Sequence, residues 1–349
     1  MADYSMNGRM FRERVRRYVA EHAMAEPGER VLVALSGGAD SVCLLLVLKG
    51  MGVEVEAAHC NFHLRGEESM RDERFVVELC KRLGVRLHRT DFDTEGEARQ
   101  RGVSIEMAAR DLRYEFFARL MAEEDGCRVL AVGHHKDDNA ETFLLNAVRK
   151  TGLRGLGGIK PVSRNGLGCR VVRPLLCVGR EEIVRFLEEE GEEWVTDSTN
   201  LHADVARNKV RLGVVPVLKE INPGAVDTLC STMENVAEVG KIYDDWIGRE
   251  KERCSRWKDE RTLYIYRESL ARSASPISVL HELLYPIGFN ETQVRNLLHA
   301  KGYKSNRQKG EYTLRLPGGK EVGLEVTWKV IKVVLGQKLS DTANMVTSM

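Results

Sequence analysis

Short apolar runs alternate with amphipathic stretches over the first half of the chain. The runs at 31–35, 53–58, 85–87 and 129–132 have the length of buried strands. Between them, apolar residues recur every three or four positions, which is the spacing of a helix with one face packed on a sheet. Because strands and helices alternate, the pattern predicts an α/β fold built on a parallel, Rossmann-like sheet.

The pattern changes after residue 216. A last strand at 171–176 and an acidic helix at about 179–190 complete the first part. The second part is predicted to hold a connecting helix from 221 to about 253, a strand at 262–266, helices at 278–285 and 291–300, and a terminal hairpin of 311–316 with 321–334. We therefore expect two domains, an α/β domain at 1–216 and a smaller α+β domain at 217–349.

Composition places the chain among globular proteins of the cytoplasm. Hydrophobic residues make up 43% and charged residues 30% of its 349 residues, and the longest apolar run, 42–48, is too short to cross a bilayer. The N-terminal region shows no apolar signal core, and the eight cysteines include no C-x-x-C pair. The net charge of +1 means that nucleic-acid binding would depend on local basic patches.

The turn after the first strand carries the strongest chemical signal. Gly37 and Gly38 can adopt positive φ and have no Cβ, so a ligand can approach the backbone closely. The helix that follows would direct its free N–H groups at an anion. Ser36 and Ser41 add hydroxyl groups, while Asp40 would repel phosphate unless a cation stood between them. The combination indicates a nucleotide with Mg²⁺. The alternative is a structural turn with Ser36 as N-cap.

A second polar cluster follows the strand at 129–132. It is the block Gly133-His-His-Lys-Asp-Asp-Asn-Ala-Glu141, in which Asp138 and Glu141 stand three residues apart at the start of a helix. Both carboxylates should face the ligand edge of the sheet. The alternatives are capping by Asp137 or Asp138, and a transition-metal site, although the nucleotide turn favours Mg²⁺.

Several of these segments resemble known enzymes. Ser-Gly-Gly-Ala-Asp-Ser, at 36–41, is similar to the pyrophosphate loop of the N-type ATP pyrophosphatases. Eight motifs stand in the order found in bacterial tRNA(Ile)-lysidine synthetases and cover most of 30–216. They are 36–41, 59–65, 69–72, 109–114, 134–141, 149–155, 173–176, and 197–200 with 207–211. Asn139 and the pair 150–151 depart from the usual residues, and the chain is short beside relatives with a further C-terminal domain.

The resemblance implies a reaction and a set of residues. Such enzymes use ATP to join free L-lysine to C2 of the anticodon cytidine of tRNA(Ile) with a CAU anticodon, through an adenylated base, and release AMP and pyrophosphate. ATP would lie on Ser36, Gly37, Gly38, Ala39, Asp40, Ser41 and His59, with Asp40 holding Mg²⁺. Catalytic roles would fall to Asp40, Arg110, Asp138 and Glu141. tRNA would contact His63, Arg65, Arg149, Arg154, Arg207 and Arg211.

Two other functions remain open at this stage. One is a different tRNA-modifying enzyme of the same class, such as a cytidine thiolase, although such enzymes usually carry paired cysteines. The other is a nucleotide-binding module without catalytic activity, against which the dense polar loops argue. The sequence also leaves the oligomeric state open, including a homodimer.

Overall fold

The computed structural model describes residues 8–26, 28–123, 126–149, 151–196, 206–300, 310–316 and 321–336. The chain divides into two compact units, and the boundary lies between Ala237 and Glu238. The first compact unit thus extends to residue 237. The domain boundary that the sequence suggests at residue 216 stays a prediction. In the described part of the chain, no helix has the length and apolar character needed to cross a membrane.

The first unit alternates strands and helices, as the sequence predicts. Its elements are α1 (Gly8–Glu21), β1 (Val31–Ala34), α2 (Ala39–Gly50), β2 (Val55–Asn61), α3 (Glu67–Leu83), β3 (Arg86–Asp91), α4 (Thr94–Arg101), α5 (Ile105–Ala122), β4 (Val129–Ala131), α6 (Lys136–Val148), α7 (Leu153–Leu156), β5 (Val162–Arg164), β6 (Arg170–Val172), α8 (Arg180–Glu189), α9 (Ala206–Lys209), α10 (Val215–Ile221) and the first part of α11 (Ala225–Cys254). A π-helical turn, Val210–Val214, joins α9 to α10.

The strands form one sheet in the order β3-β2-β1-β4-β6-β5. All neighbouring pairs are parallel except the edge pair of β5 and β6. Val31 stands opposite both Val55 and Val129, so β1 is central between β2 and β4. The predicted α/β fold is therefore confirmed.

The side chains of β1 enter two cores because successive residues point to opposite faces of a sheet. Val31 and Val33 pack in a cluster with residues of α1, α2, α3 and α8, whereas Leu32 packs with Phe116 and Phe117 of α5. All three β1 residues are fully buried. This double burial explains why the run is apolar throughout rather than alternating.

Two local predictions in this unit are wrong. The strand predicted at 171–176 is shorter, because Pro174 begins a 3₁₀ turn that extends to Cys177. Ser69, with the acid Asp72 three residues later, has the sequence spacing of a helix N-cap, but it does not cap α3, since that helix already begins at Glu67. The Ser69 hydroxyl instead accepts a hydrogen bond from the backbone N–H of Arg65.

The second unit is an α+β structure, as predicted. Its elements after α11 are β7 (Ser255–Trp257), β8 (Thr262–Tyr266), α12 (Arg267–Ala271), α13 (Pro276–Leu284), α14 (Glu291–His299), β9 (Gly310–Arg315), β10 (Glu321–Val326) and β11 (Val330–Leu335). The sheet order is β7-β8-β11-β10-β9 with antiparallel neighbours. The single run predicted at 321–334 is in fact two strands, because a turn closed by the Thr327 side chain reverses the chain there.

Candidate active site

The polar loops meet at a switch point of the first sheet. From β1 the chain passes to β2 on one side, and β4 later pairs with the other side of β1. Ligands bind in the crevice that such a reversal opens at the carboxyl ends of the strands. A cavity of about 300 Å³ lies there. Its lining comprises Ala34, Leu35, Ser36, Gly38, Asp40, Ser41, Ala58, Cys60, Phe62, Arg110, Arg113, Tyr114, Phe117, Val132, Gly133 and His134.

Gly37 is required by the conformation of the turn. Its φ is +90°, and a Cβ at this position would lie 2.9 Å from Cγ2 of Val195. Gly38 is different, because its φ is −70° and a Cβ there would meet nothing nearer than 3.6 Å. Only one of the two glycines therefore uses positive φ. Gly38 is also the N-cap of α2, so the alternative in which Ser36 caps the helix is wrong.

The hydroxyl of Ser41 fixes the shape of the turn. It accepts hydrogen bonds from the backbone N–H groups of Ser36 and Gly37 at 3.2 and 3.1 Å. It donates to the carbonyl of Gly38 at 2.9 Å. Ala39, the first residue of α2, is buried behind the turn. Residues 36–41, six of the seven residues predicted to bind nucleotide, thus form one continuous turn beside the cavity, held by internal hydrogen bonds.

Asp40 connects this turn with two other elements. Its carboxylate forms an ion pair with the guanidinium of Arg180, the first residue of α8. Nε2 of His135 lies 3.6 Å from Oδ1 of Asp40. Gly133 permits this approach, since a Cβ there would come within 3.2 Å of the Asp40 backbone and side chain. The loop after β4 is thereby held against the start of α2.

His135 occupies the N-cap position of α6 among three carboxylates. Besides Asp40, its ring approaches Oδ2 of Asp137 at 3.4 Å and Oδ2 of Asp138 at 3.5 Å. Burial opposes protonation of the ring, but the three carboxylates outweigh it and raise the pKa of His135. The neighbouring His134 lines the cavity, and burial lowers its pKa to about 4, so its ring is neutral at pH 7.

Asp138 and Glu141 face the same side of α6, as their spacing predicts. Oδ2 of Asp138 accepts a hydrogen bond from the backbone N–H of His135. Asp138 therefore takes part in capping α6 and also belongs to the site. Glu141 is 1% exposed. Burial, the largest influence, raises the pKa of Glu141 even though the guanidinium of Arg211 acts in the opposite direction.

Arg207 and Arg211 contact these carboxylates. Nε of Arg211 lies 2.6 Å from Oε1 of Glu141, and its terminal nitrogen lies 3.3 Å from Oδ1 of Asp138. Nε of Arg207 lies 3.2 Å from Oε2 of Glu141. Both arginines were expected from the resemblance to contact tRNA, and in this structure their guanidinium groups are engaged within the site.

Two further cations line the opposite side of the cavity. The guanidinium of Arg110 stacks over the ring of Tyr114, and that of Arg113 stacks over Phe62, at 5.2 Å from each centroid. Stacking holds flat cationic groups at the cavity wall without neutralising them. Arg110 therefore lines the cavity, and its catalytic role stays a prediction.

Three other predicted residues, His59, His63 and Arg65, do not themselves line the cavity. His59 is buried, and its Nδ1 lies 2.8 Å from the carbonyl of Leu35, while Ala58 and Cys60 on the alternate face of β2 reach the cavity. Nε2 of His63 pairs with Asp91, and the guanidinium of Arg65 pairs with the buried Asp72. His59 thus contacts the residue that precedes the glycine turn, whereas His63 and Arg65 contact acids of β3 and α3.

The segment at 149–155, which carries Arg149 and Arg154, follows α6 in the chain and contacts it. Arg149 ends that helix, and Arg154 is on α7. Asn139 accepts a hydrogen bond from the backbone N–H of Ile159 at 2.6 Å, and Asn146 donates to the carbonyl of Gly155 at 2.9 Å. Asn139, which departs from the usual glutamine, thus holds the segment in place. Lys150 and the motif at 197–200 lie outside the described residues.

His135 and Arg180 are the residues that sequence reasoning missed. His135 belongs to the motif at 134–141, but its central position among three carboxylates follows only from the fold. Arg180 is the first residue of α8, whose sequence is typical of an acidic helix. The available signal was its place just after the end of a predicted strand, where ligand-binding residues of parallel sheets collect.

In the part of the chain that the structure describes, no group of three or more His, Cys, Asp or Glu side chains is arranged so that it could hold a metal ion. All eight cysteines belong to that part and are free thiols. The cluster at His134–Glu141 is therefore arranged as a network of hydrogen bonds and ion pairs, with His135 as a partner of the carboxylates.

Comparison with known proteins agrees with this arrangement. Residues 10–218 match the model of the PP-loop domain. The chain is 46% identical over 323 residues to a tRNA(Ile)-lysidine synthase of Bacteroides thetaiotaomicron, which covers 93% of this chain and 70% of the relative. It is 45% identical over 275 residues to the enzyme of the same name from Parabacteroides distasonis, covering 79% of this chain and 60% of that relative.

A solved structure supports the fold independently. The U34-tRNA thiolase NcsA from Methanococcus maripaludis, with its [4Fe-4S] cluster, superposes with a TM-score of 0.53 at 19% identity, over 66% of this chain and 80% of that one. At this identity the likeness speaks for the architecture alone. The family match, the identities and the site together show that the chain belongs to the PP-loop family and, within it, to the tRNA(Ile)-lysidine synthases.

Proposed function

We propose that this chain uses ATP to join free L-lysine to C2 of the wobble cytidine of tRNA(Ile) with a CAU anticodon, and releases AMP and pyrophosphate. The observation that carries the proposal is the position of His135, which lies between Asp40 of the glycine turn and Asp138 of α6. His135 therefore connects the glycine turn, which would bind the nucleotide, with the start of α6, whose carboxylates are suited to an amine.

ATP binding is the first part of the proposal. The turn at 36–41 would hold the pyrophosphate half, with the N-terminus of α2 directed at it. Mg²⁺ commonly takes one or two carboxylates together with phosphate oxygens, and Asp40 offers an oxygen donor of that kind. When bound, the ion would neutralise phosphate charge. Arg110 would hold the region of the α-phosphate from the opposite wall.

Activation of the base follows from leaving-group chemistry. The C2 oxygen of cytosine leaves poorly, so it must first be joined to the α-phosphate of ATP. The target base must leave its stack to reach the cavity, as bases generally do when enzymes act on them. Contacts of the tRNA backbone with basic side chains such as Arg149 and Arg154 would position the anticodon.

The carboxylates of α6 would then receive the lysine side chain. In this structure they already bind a cationic N–H donor, the guanidinium of Arg211. An ammonium group makes the same kind of contact. Glu141, whose pKa is raised by burial, is the better proton acceptor, while Asp138 is held in place by the His135 backbone. After losing a proton, the amine attacks C2 and AMP leaves.

The test is an assay that resolves AMP from ADP, with lysine and tRNA withheld in turn. We expect sustained release of AMP and pyrophosphate only when both are present, with lysidine appearing in tRNA(Ile). Production of ADP, or turnover without tRNA, would overturn the proposal. A cytidine thiolase would consume a sulfur donor instead, and no cysteine cluster that could hold an iron–sulfur centre is found among the described residues.

A further inference from the structure

Arg180 is a cation in direct contact with the acid of the glycine turn. Its guanidinium pairs with Asp40, and the pair is partly open to solvent, with side-chain exposures of 40% and 33%. Its backbone is fixed as well, because the N–H of Arg180 donates to Oδ2 of Asp137 at 2.8 Å. The side chain therefore starts from a rigid position at the beginning of α8.

The pairing answers an electrostatic difficulty of the turn. A carboxylate beside a phosphate-binding turn repels the phosphates. Arg180 neutralises Asp40 in the protein without nucleotide. Once a cation takes the carboxylate, the guanidinium is released beside the same turn, where the charge of a polyphosphate collects. A guanidinium is suited to this because its planar array of donors binds phosphate oxygens in pairs.

Arg110 and Arg180 belong to different elements: Arg110 lines the cavity itself, and Arg180 contacts the cavity-lining Asp40. Arg110 stands on α5, at the wall formed with Tyr114, whereas Arg180 approaches Asp40 from α8. Asp40 belongs to the turn that would hold the pyrophosphate half. A pyrophosphate held by this turn would therefore lie beside Arg180, and the α-phosphate would lie toward Arg110.

We propose that Arg180 binds the β- and γ-phosphates of ATP and stabilises the pyrophosphate as it leaves. This inference rests on the proposed function, because the turn must bind ATP and the base must be adenylated, while the phosphate contacts of Arg180 can be measured without tRNA or lysine. In the step concerned, a bond forms between the C2 oxygen and the α-phosphorus. The bond from that phosphorus to the bridging oxygen of the β-phosphate breaks, and its electron pair leaves with pyrophosphate. Arg180 holds the growing negative charge on that oxygen and its neighbours.

The competing explanation is a structural ion pair between α2 and α8. A half-exposed ion pair of this kind contributes little to the free energy of folding. If Arg180 served only this pair, replacing it would therefore change the affinity for a nucleotide little. The two explanations differ in which ligands lose affinity. A leaving-group contact matters for ligands that carry the β- and γ-phosphates and is irrelevant to AMP.

The experiment compares Arg180→Gln and Arg180→Lys with a matched control, Arg185→Gln, which changes an exposed arginine on the same helix. Binding of a non-hydrolysable ATP analogue with Mg²⁺, of pyrophosphate with Mg²⁺, and of AMP is measured by calorimetry on the full chain without tRNA. We expect Arg180→Gln to weaken the analogue and pyrophosphate by about ten- to a hundredfold, the effect of losing hydrogen bonds to a charged group. AMP affinity should stay unchanged.

Partial recovery in Arg180→Lys would support a charge contact. Equal weakening of AMP and the ATP analogue would overturn the proposal, as would unchanged pyrophosphate affinity together with a lowered melting temperature. These measurements need neither tRNA nor lysine. Failure of the lysidine assay alone would therefore count against the proposed function and leave the assignment of Arg180 standing.

Discussion

Arg211 lies with its Nε 2.6 Å from Oε1 of Glu141, and this guanidinium also reaches Asp138 at 3.3 Å. One arginine therefore spans both carboxylates that are proposed to receive lysine. The ammonium of a bound lysine and this guanidinium would compete for the same oxygens. Lysine binding would thus require Arg211 to move, and Arg211 belongs to the π-helical turn Val210–Val214, which packs beside α6.

Glu141→Gln tests the role of the buried carboxylate. Gln keeps the size and a carbonyl that can accept from Arg211, but it cannot take a proton from the lysine ammonium. We expect lysidine formation to fall by at least about a hundredfold, the usual effect of losing a general base. Mass spectrometry of the tRNA measures the product, and circular dichroism confirms the fold. Full activity in this variant would show that the base lies elsewhere.

The stability of the same variant should depend on pH. Burial raises the folded-state pKa of Glu141 above its unfolded value, so its ionisation destabilises the folded protein. This penalty is absent below the unfolded pKa and complete above the folded one. The free energy of unfolding of Glu141→Gln should therefore rise relative to wild type as the pH increases from the unfolded pKa of Glu, about 4.3, through the raised folded-state pKa. Denaturant titrations measure it, and a pH-independent difference would contradict the assignment.

Arg207→Gln and Arg211→Gln address tRNA binding. If these arginines leave the carboxylates and bind phosphate when tRNA is present, each variant should weaken tRNA binding. The slope of log affinity against log salt concentration should then fall by about 0.7–0.9 per lost contact. Filter binding at several salt concentrations measures the slope, with Arg185→Gln as control. An unchanged slope would mean that the guanidinium groups serve Glu141 and Asp138 only.

Gly37 and Gly38 form a matched pair for the turn. Ala at 37 would adopt a strained φ of +90° and press on Val195, whereas Ala at 38 meets no atom nearer than 3.6 Å. We expect Gly37→Ala to lower the free energy of unfolding by about 1–3 kcal/mol and to abolish ATP binding. Gly38→Ala should change stability by no more than about 0.5 kcal/mol. Equal effects on stability would show that the turn relaxes.

The sequence by itself determined the fold class, and it located the two polar loops, 36–41 and 133–141, at the ends of predicted strands. Apolar runs such as 31–35 are buried on both faces and leave few alternatives to a parallel sheet, and the order of strands and helices fixes the class. The spacing of Asp138 and Glu141 likewise placed both on one face of α6, because helical periodicity is a local property.

The tertiary structure alone decided which side chains meet across these elements. His135 lies between Asp40 and Asp138 because β1 and β4 are neighbours, and Arg180 reaches Asp40 because α8 packs beside α2. Arg207 and Arg211 read as a basic stretch, yet they end on Glu141. Their partners are tens of residues away in the chain. Such contacts are selected by the free energies of desolvation and ion pairing in the folded protein, which a local sequence pattern does not reveal.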